Sequence, residues 1–267
     1  MNAVADTISI APPLSRRITD RHVFVFTAAL FVVITLAGFI PSSLAKIQAG
    51  QAGQRPPFPV ELHVHAALMG AWLLVLLAQS VLIASGRRAW HRALGLVGAL
   101  LLPAIVVSGV LLIRVTWQGL WTPAAQAIPP EVLAQTRAFV TNLLLLQGRA
   151  LFGFSLFLAW ALWVRRTDPE SHRRLVLLGT AIPLLAAIDR LTTSLGWTTM
   201  PVSPLALDFY MLASVLPLVC WDLLRHRQVH STTRAWVLIN LPLAVLTNLL
   251  WGSPWWLTNA PRLVGVA

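Results

Sequence analysis

The chain has 267 residues, 57% apolar and 11% charged, where soluble globular chains run at roughly 45–50% apolar and about 25% charged, so a soluble enzyme is a poor fit. Lys and Arg outnumber Asp and Glu by 20 to 9, but the basic residues lie in short runs between apolar blocks, which points to membrane topology rather than to nucleic acid. One cysteine, Cys220, excludes an internal disulfide and any Cys-based metal or iron–sulfur site.

In chain order, residues 1–21 carry Pro12, Pro13, Arg16, Arg17 and Arg21 without hydrophobic periodicity, and they predict a flexible cytoplasmic arm. Apolar stretches long enough to span a bilayer then follow at 22–41, 61–85, 92–115, 138–164, 174–196, 205–224 and 234–257. The first is too long for the apolar region of a secretory signal. Backbone groups in hydrocarbon must be satisfied within their own segment, so seven blocks imply seven helices. The expected fold is all-α, a polytopic membrane helical bundle over 22–257 with a short external tail at 258–267.

Cytoplasmic loops hold the excess of Lys and Arg. With the N-terminus inside, cytoplasmic segments hold Arg16, Arg17, Arg21, Arg87, Arg88, Arg92, Arg165, Arg166, Arg173, Arg174, Arg225, Arg227 and Arg234, 13 residues, against five outside, Lys46, Arg55, Arg114, Arg137 and Arg262. An N-in, C-out arrangement is expected. The other loops carry prolines and tryptophans, including Trp117, Trp121, Trp255 and Trp256, as interfacial belts do.

Two helical hairpins, 61–115 and 138–196, share one design. Arg87-Arg88 leads to His91-Arg92-x-Leu94 and a span with Pro103, and Arg165-Arg166 leads to His172-Arg173-x-Leu175 and a span with Pro183. Repeated hairpins in membrane bundles often enclose a site between them. The run His63-Val64-His65-Ala66, then Trp72, Gln79, Gly86-Arg87-Arg88 and His91-Arg92-x-Leu94-Gly95, followed by Asp168-Pro169-x-x-His172-Arg173-Arg174-Leu175, resembles a large group of uncharacterised bacterial multi-pass membrane proteins over residues 25–195. More distantly, His near the start of successive helices resembles the transmembrane di-haem b-type cytochromes, whose four-helix core binds haem through paired His. That resemblance implies haem b held by His91 and His172. Residues 138–164 contain no His for a second haem.

Polar side chains inside the spans are costly and usually face the bundle interior. His65, Trp72 and Gln79 recur every seven residues, as do Asn142 and Arg149, and Asn240, Thr247 and Pro254, with Asn248 beside Thr247. Such spacing places each set on one helical stripe. Arg149 requires a carboxylate or a water-filled cavity, and Asp189 on the adjoining helix is the expected partner, with Arg190 reaching Asp208, Glu61 or the interface. His65, Asn142, Arg149, Asp189, Arg190 and Asn248 thus form a candidate external cavity for a polar or anionic small molecule or a lipid, the alternative being a structural ion pair. A metal at His63 and His65 with Glu61, Asp189 and Asp208 lacks the spacing of any known motif.

Three functional classes remain. The favoured one binds, transports or helps assemble a ligand through the polar cavity. The second is haem-based electron transfer, and the third is an embedded enzyme with His65 and Asp189 as acid and base, for which no nucleophile or cofactor motif is present. Beyond the lipid bilayer no partner can be named from the residues.

Overall fold

The computed structural model describes residues 14–197 and 204–263. Among them there is no strand. Helix α1 is Leu14–Gln51, α2 Val60–Ala84, α3 Arg88–Gln118, α4 Pro130–Val164, α5 Pro169–Ala181, α6 Leu185–Ser194, α7 Leu205–Ser214, α8 Leu216–His226, α9 Ser231–Leu250 and α10 Pro254–Leu263, with short 3-10 turns at Gly119–Trp121 and Pro123–Ala127. Five helices are long and apolar enough to cross a membrane, and the count rises to seven if the bent pairs α5–α6 and α7–α8 are one span each.

Proline sets many of the boundaries. Pro130, Pro169 and Pro217 occupy the first turns of α4, α5 and α8, where the missing N–H costs nothing and the fixed φ suits a helix. Asp168 accepts from the Ser171 amide at 3.0 Å and so caps α5. Inside helices the outcome depends on context. Pro103 leaves α3 continuous, whereas Pro183 ends α5, and the next residues bond three back, Leu185 N to Ile182 O and Ala186 N to Pro183 O, before α6 leaves at 46°. The α7–α8 break at Val215 turns the chain by 48°.

The core lies where α5 is surrounded. Leu175, Leu177, Leu178 and Ala181 of α5 are buried together with Phe31, Phe157, Ile182, Leu218 and Trp236, so the second half of this helix is enclosed by its neighbours. Small residues allow close crossings. An added Cβ on Gly38 of α1 would stand 2.2 Å from the Ala187 carbonyl oxygen of α6, and one on Gly153 of α4 would stand 2.6 Å from Ile182 Cδ1 at the α5–α6 break. Outward-facing residues such as Leu74, Leu96, Leu100, Val107, Leu238 and Leu249 are exposed, far more apolar surface than a soluble monomer presents.

Several expected bounds move. Helix α1 already starts at Leu14, so residues 14–21 continue the first helix instead of forming an arm, while 1–13 lie outside the described residues. The stretch 234–257 is not one helix. Gly252, at φ 71°, turns the chain after α9, and Pro254 opens α10, so Pro254 leaves the stripe of Asn240 and Thr247. The tail from 258 therefore begins within α10, and 264–267 lie outside the described residues. The two hairpins are present as α2–α3 and α4–α5, the most extensively packed helix pairs, but only the second has a broken return helix.

Candidate functional site

Arg149 is drawn inside by the α4 stripe on which Asn142, Leu146, Arg149, Gly153 and Phe157 are all buried. Its guanidinium Nη1 meets Asp208 Oδ1 of α7 at 2.5 Å, with the two side chains 2% and 10% exposed. The other carboxylate oxygen of Asp208 accepts from Asn248 Nδ2 of α9 at 3.2 Å. Arg149 Nε is buried and has no hydrogen-bond partner, so the pair leaves a donor unused. About 10 Å further along the same stripe, Asn142 Oδ1 accepts from the Gly252 amide at 2.9 Å, and Trp256 Nε1 donates to the Thr141 carbonyl at 3.0 Å. These two bonds fix the α9–α10 turn and α10 to α4, beyond the ion pair.

The expected Arg149–Asp189 pair is not formed. Asp189 lies on α6, where its charged neighbours are Arg190 and Lys46. Arg190 turns the other way, its guanidinium 4.5 Å over the Phe39 ring of α1 and Nη1 donating to the Ala186 carbonyl at 2.5 Å. The break at Pro183 reorients α6 towards α1, whereas α7 presents Asp208 to α4 and α9. Asp208 was an expected partner for Arg190; it serves Arg149 instead.

His65 is separate again. Ser108 Oγ stands 3.0 Å from both the Ile105 carbonyl oxygen and His65 Nδ1, so the hydroxyl links the imidazole to the backbone of α3. Its surroundings are Gly109 of α3 and Leu151 of α4, and no contact joins it to Asp189, which leaves an acid–base pair of these two without support. Hence the six expected lining residues divide into Arg149 and Asn248 on Asp208, Asn142 at the α9–α10 turn, Asp189 and Arg190 beside α1, and His65 between α2 and α3. The stripe of His65, Trp72 and Gln79 does face inward: Trp72 Nε1 donates to Thr180 Oγ1 of α5 at 3.1 Å, and Gln79 lies against Gly95 and His91. His63 is exposed, edge-on to Phe58. Among the described residues no three His, Cys, Asp or Glu side chains converge to hold a metal ion.

At the opposite, arginine-rich end, His172 Nδ1 donates to the Ala161 carbonyl at 2.8 Å, which leaves Nε2 free of that bond. The His91 imidazole is close enough to interact with it electrostatically, and His91 Nδ1 is buried without a hydrogen-bond partner.

A second buried network had no sequence signal strong enough to find it. Arg174 of α5 pairs with Asp222 of α8 at 2.7 Å, both side chains being at most 1% exposed, and its Nε donates to Glu170 at 3.0 Å. Asp222 Oδ2 accepts from the His230 amide at 3.0 Å, and Thr232 Oγ1 donates to Ser171 Oγ at 3.0 Å. The network ties α5, α8 and α9 together. Beside it a cleft of about 590 Å³ is lined by Arg173, Arg174, Asp222, His226, His230 and Arg234 among others. Arg174 had the look of one more loop arginine set by topology; the signal available was an acid, Asp222, at the matching depth of the sixth apolar block.

No family model matches the chain, and no curated protein or solved structure matches it. The resemblance to multi-pass bacterial membrane proteins therefore rests on the quoted motifs alone.

Proposed function

We propose that this is a seven-span, N-in, C-out protein of the cell membrane, the inner one in a two-membrane bacterium, that binds, transports or helps assemble a polar or anionic small molecule or lipid. The binding groups in this reading are Arg149, Asp208 and Asn248, with Asn142 above them. The observation that carries it is the buried Arg149–Asp208 pair with an unused donor at Arg149 Nε, since charges kept inside a bundle are costly and mark functional positions by default. Two bent helix pairs stand beside it, one of which carries Asp208, and discontinuous helices are a recurrent way to present polar groups in transporters.

The test is a thermal-shift screen of the purified protein with small carboxylates, phosphates and zwitterionic amines. A saturable shift lost in the Arg149→Gln/Asp208→Asn double variant supports the site; a shift of equal size in the variant removes it, as does the absence of any shift in the native chain. Reporter fusions after Arg88, Arg166 and Arg227 reading cytoplasmic, and one after Pro123 reading external, test the orientation. An external reading at any of the first three overturns it.

A second reading, a haem b electron-transfer protein, is favoured by one arrangement. His172 spends Nδ1 on a backbone carbonyl, the usual way of orienting an imidazole whose Nε2 binds a metal, and His91 stands near it. Protein expressed with ample haem would then show a Soret band that His91→Ala and His172→Ala each abolish. A colourless folded protein excludes this reading.

A further inference from the structure

A different feature lies at the arginine-rich end, outside the Arg149 site. Arg21 of α1, Arg88 at the start of α3 and Arg173 of α5 converge on a cleft of about 540 Å³ whose remaining walls are Ile83 and Gly86. Three separate helices supply the three guanidiniums, and no carboxylate is among the five lining residues. Arg173 pairs with Glu170, an acid it shares with Arg174, so positive charge remains in excess at the cleft.

Arg173 is held in place. Its guanidinium stacks 4.2 Å over the Phe24 ring, and it is paired with Glu170, which lines the neighbouring cleft. Arg21 and Arg88 are exposed and face it across the opening. Planar guanidiniums with several N–H donors match the oxygens of a phosphate group, which an ammonium does not do as specifically. Ile83 gives the cleft one apolar wall on α2, and Trp90 is exposed two residues beyond Arg88. A tryptophan near clustered arginines is an arrangement expected at headgroup depth. Basic pockets between helices on this side of a bilayer bind anionic headgroups.

We propose that the Arg21–Arg88–Arg173 cleft binds a phosphate group, carried either by an anionic phospholipid of the adjacent leaflet or by a free phosphate. Topology alone would place arginines at this end, but it would not require three of them to share one cleft, and that distinction is what an experiment can read.

The full-length protein, purified in an uncharged detergent, is titrated with phosphatidylglycerol in one arm and with inorganic phosphate in the other, with thermal unfolding as the readout. A saturable rise in midpoint is expected in at least one arm. A rise with phosphatidylglycerol alone identifies a lipid headgroup, and a rise with both identifies phosphate from either source. Arg21→Gln and Arg88→Gln should each raise the half-saturating concentration about fivefold, the worth of one arginine near an anionic surface. Arg21→Lys, which keeps the charge but loses the fork, should fall between. Arg92→Gln and Arg166→Gln remove exposed positive charges of the same end that do not line the cleft, and should leave the titration unchanged. Equal losses in these controls would show that bulk charge and not the cleft is responsible, and a lack of any saturable shift in both arms would overturn the proposal. Both Arg21 and Arg88 are exposed, so retained helical circular dichroism can confirm that each variant is folded.

Discussion

Among the described residues two arginine–aspartate pairs are buried, one towards each end of the bundle, and their surroundings differ. Arg174 has two carboxylates, Asp222 and Glu170, and the second oxygen of Asp222 is taken by a backbone amide of the α8–α9 connection. That connection turns at Arg227, the only described non-glycine residue with positive φ, at 59°. Arg149 has one carboxylate, whose second oxygen is taken by the side-chain amide of Asn248, and each arginine keeps one buried nitrogen without a hydrogen-bond partner, Nε of Arg149 and Nη1 of Arg174. A buried ion pair repays its desolvation only when its remaining hydrogen-bonding groups are also satisfied. Both pairs fall short of that at one nitrogen, so the difference lies in the acids: two carboxylates hold Arg174 as a fastening between helices, and a single carboxylate leaves Arg149 the more open to a ligand.

The largest effect that can break this comparison is at the fastening. Arg174→Ala or Asp222→Ala strands a fully buried charge and should destabilise the protein by about 3–5 kcal/mol, whereas the apolar exchange Arg174→Met with Asp222→Leu should cost much less. Thermal unfolding in detergent measures both. If the single and double exchanges cost the same, the pair is not what joins α5 to α8.

At the other end the effect should be smaller, because Asp208 keeps 10% exposure and the amide of Asn248. Arg149→Ala or Asp208→Ala should each cost about 2 kcal/mol, with a coupling of about 0.5–3 kcal/mol in the double variant. The same cycle between Arg149 and Asp189 should be additive to within about 0.5 kcal/mol. Coupling to Asp189 and none to Asp208 would reverse the assignment of partners.

The helical class and the apolar blocks were legible in the sequence because hydrophobic length and the cost of unpaired backbone in lipid leave few alternatives. The inward stripes were legible too: Asn142, Arg149 and Gly153 are buried, and Trp72 reaches α5. What local periodicity does not encode is how each helix is rotated against a non-adjacent one. Asp189 is nearer to Arg149 in sequence than Asp208 is, yet the break at Pro183 carries it towards α1. The same limit hid Arg174–Asp222, whose members are 48 positions apart. Proline's effect is equally contextual, since Pro103 and Pro183 occupy equivalent positions of the two hairpins and only the second breaks its helix.

A smaller effect separates the cap of α5 from the ion pair it adjoins. Asp168 is held below the usual carboxylate range, chiefly by hydrogen bonds from Ser171. Asp168→Ala should cost about 1 kcal/mol, and Asp168→Asn, which can still cap, much less. The contribution of the carboxylate is full above its ordinary value and is lost as pH falls through the lowered folded value. A loss as large as that of Asp222→Ala would mean that the cap and the ion pair form one unit.

The smallest expected effect is a pH dependence at the α8–α9 connection. His230 caps α9, its Nδ1 accepting from the Thr232 amide at 3.2 Å, which only the neutral ring can do. Burial lowers its pKa first, and the positive charge of Arg174 adds to this, while Glu170, Asp222 and Asp168 act in the opposite direction. Because the folded value lies below the unfolded one, the unfolded chain takes up the proton first as pH falls. Stability is therefore full above the ordinary imidazole range and declines as pH drops through it towards the lowered folded value. His230→Asn keeps a capping side chain and removes the titration, so the stability difference between the native chain and the variant should favour the native chain less at pH 5.5 than at pH 8, by under about 1 kcal/mol. The other histidines are common to both proteins and cancel in the difference. An unchanged difference across that interval would show that the His230 ring does not sense the Arg174 network, and the fastening would then end at the Asp222 contact to the backbone.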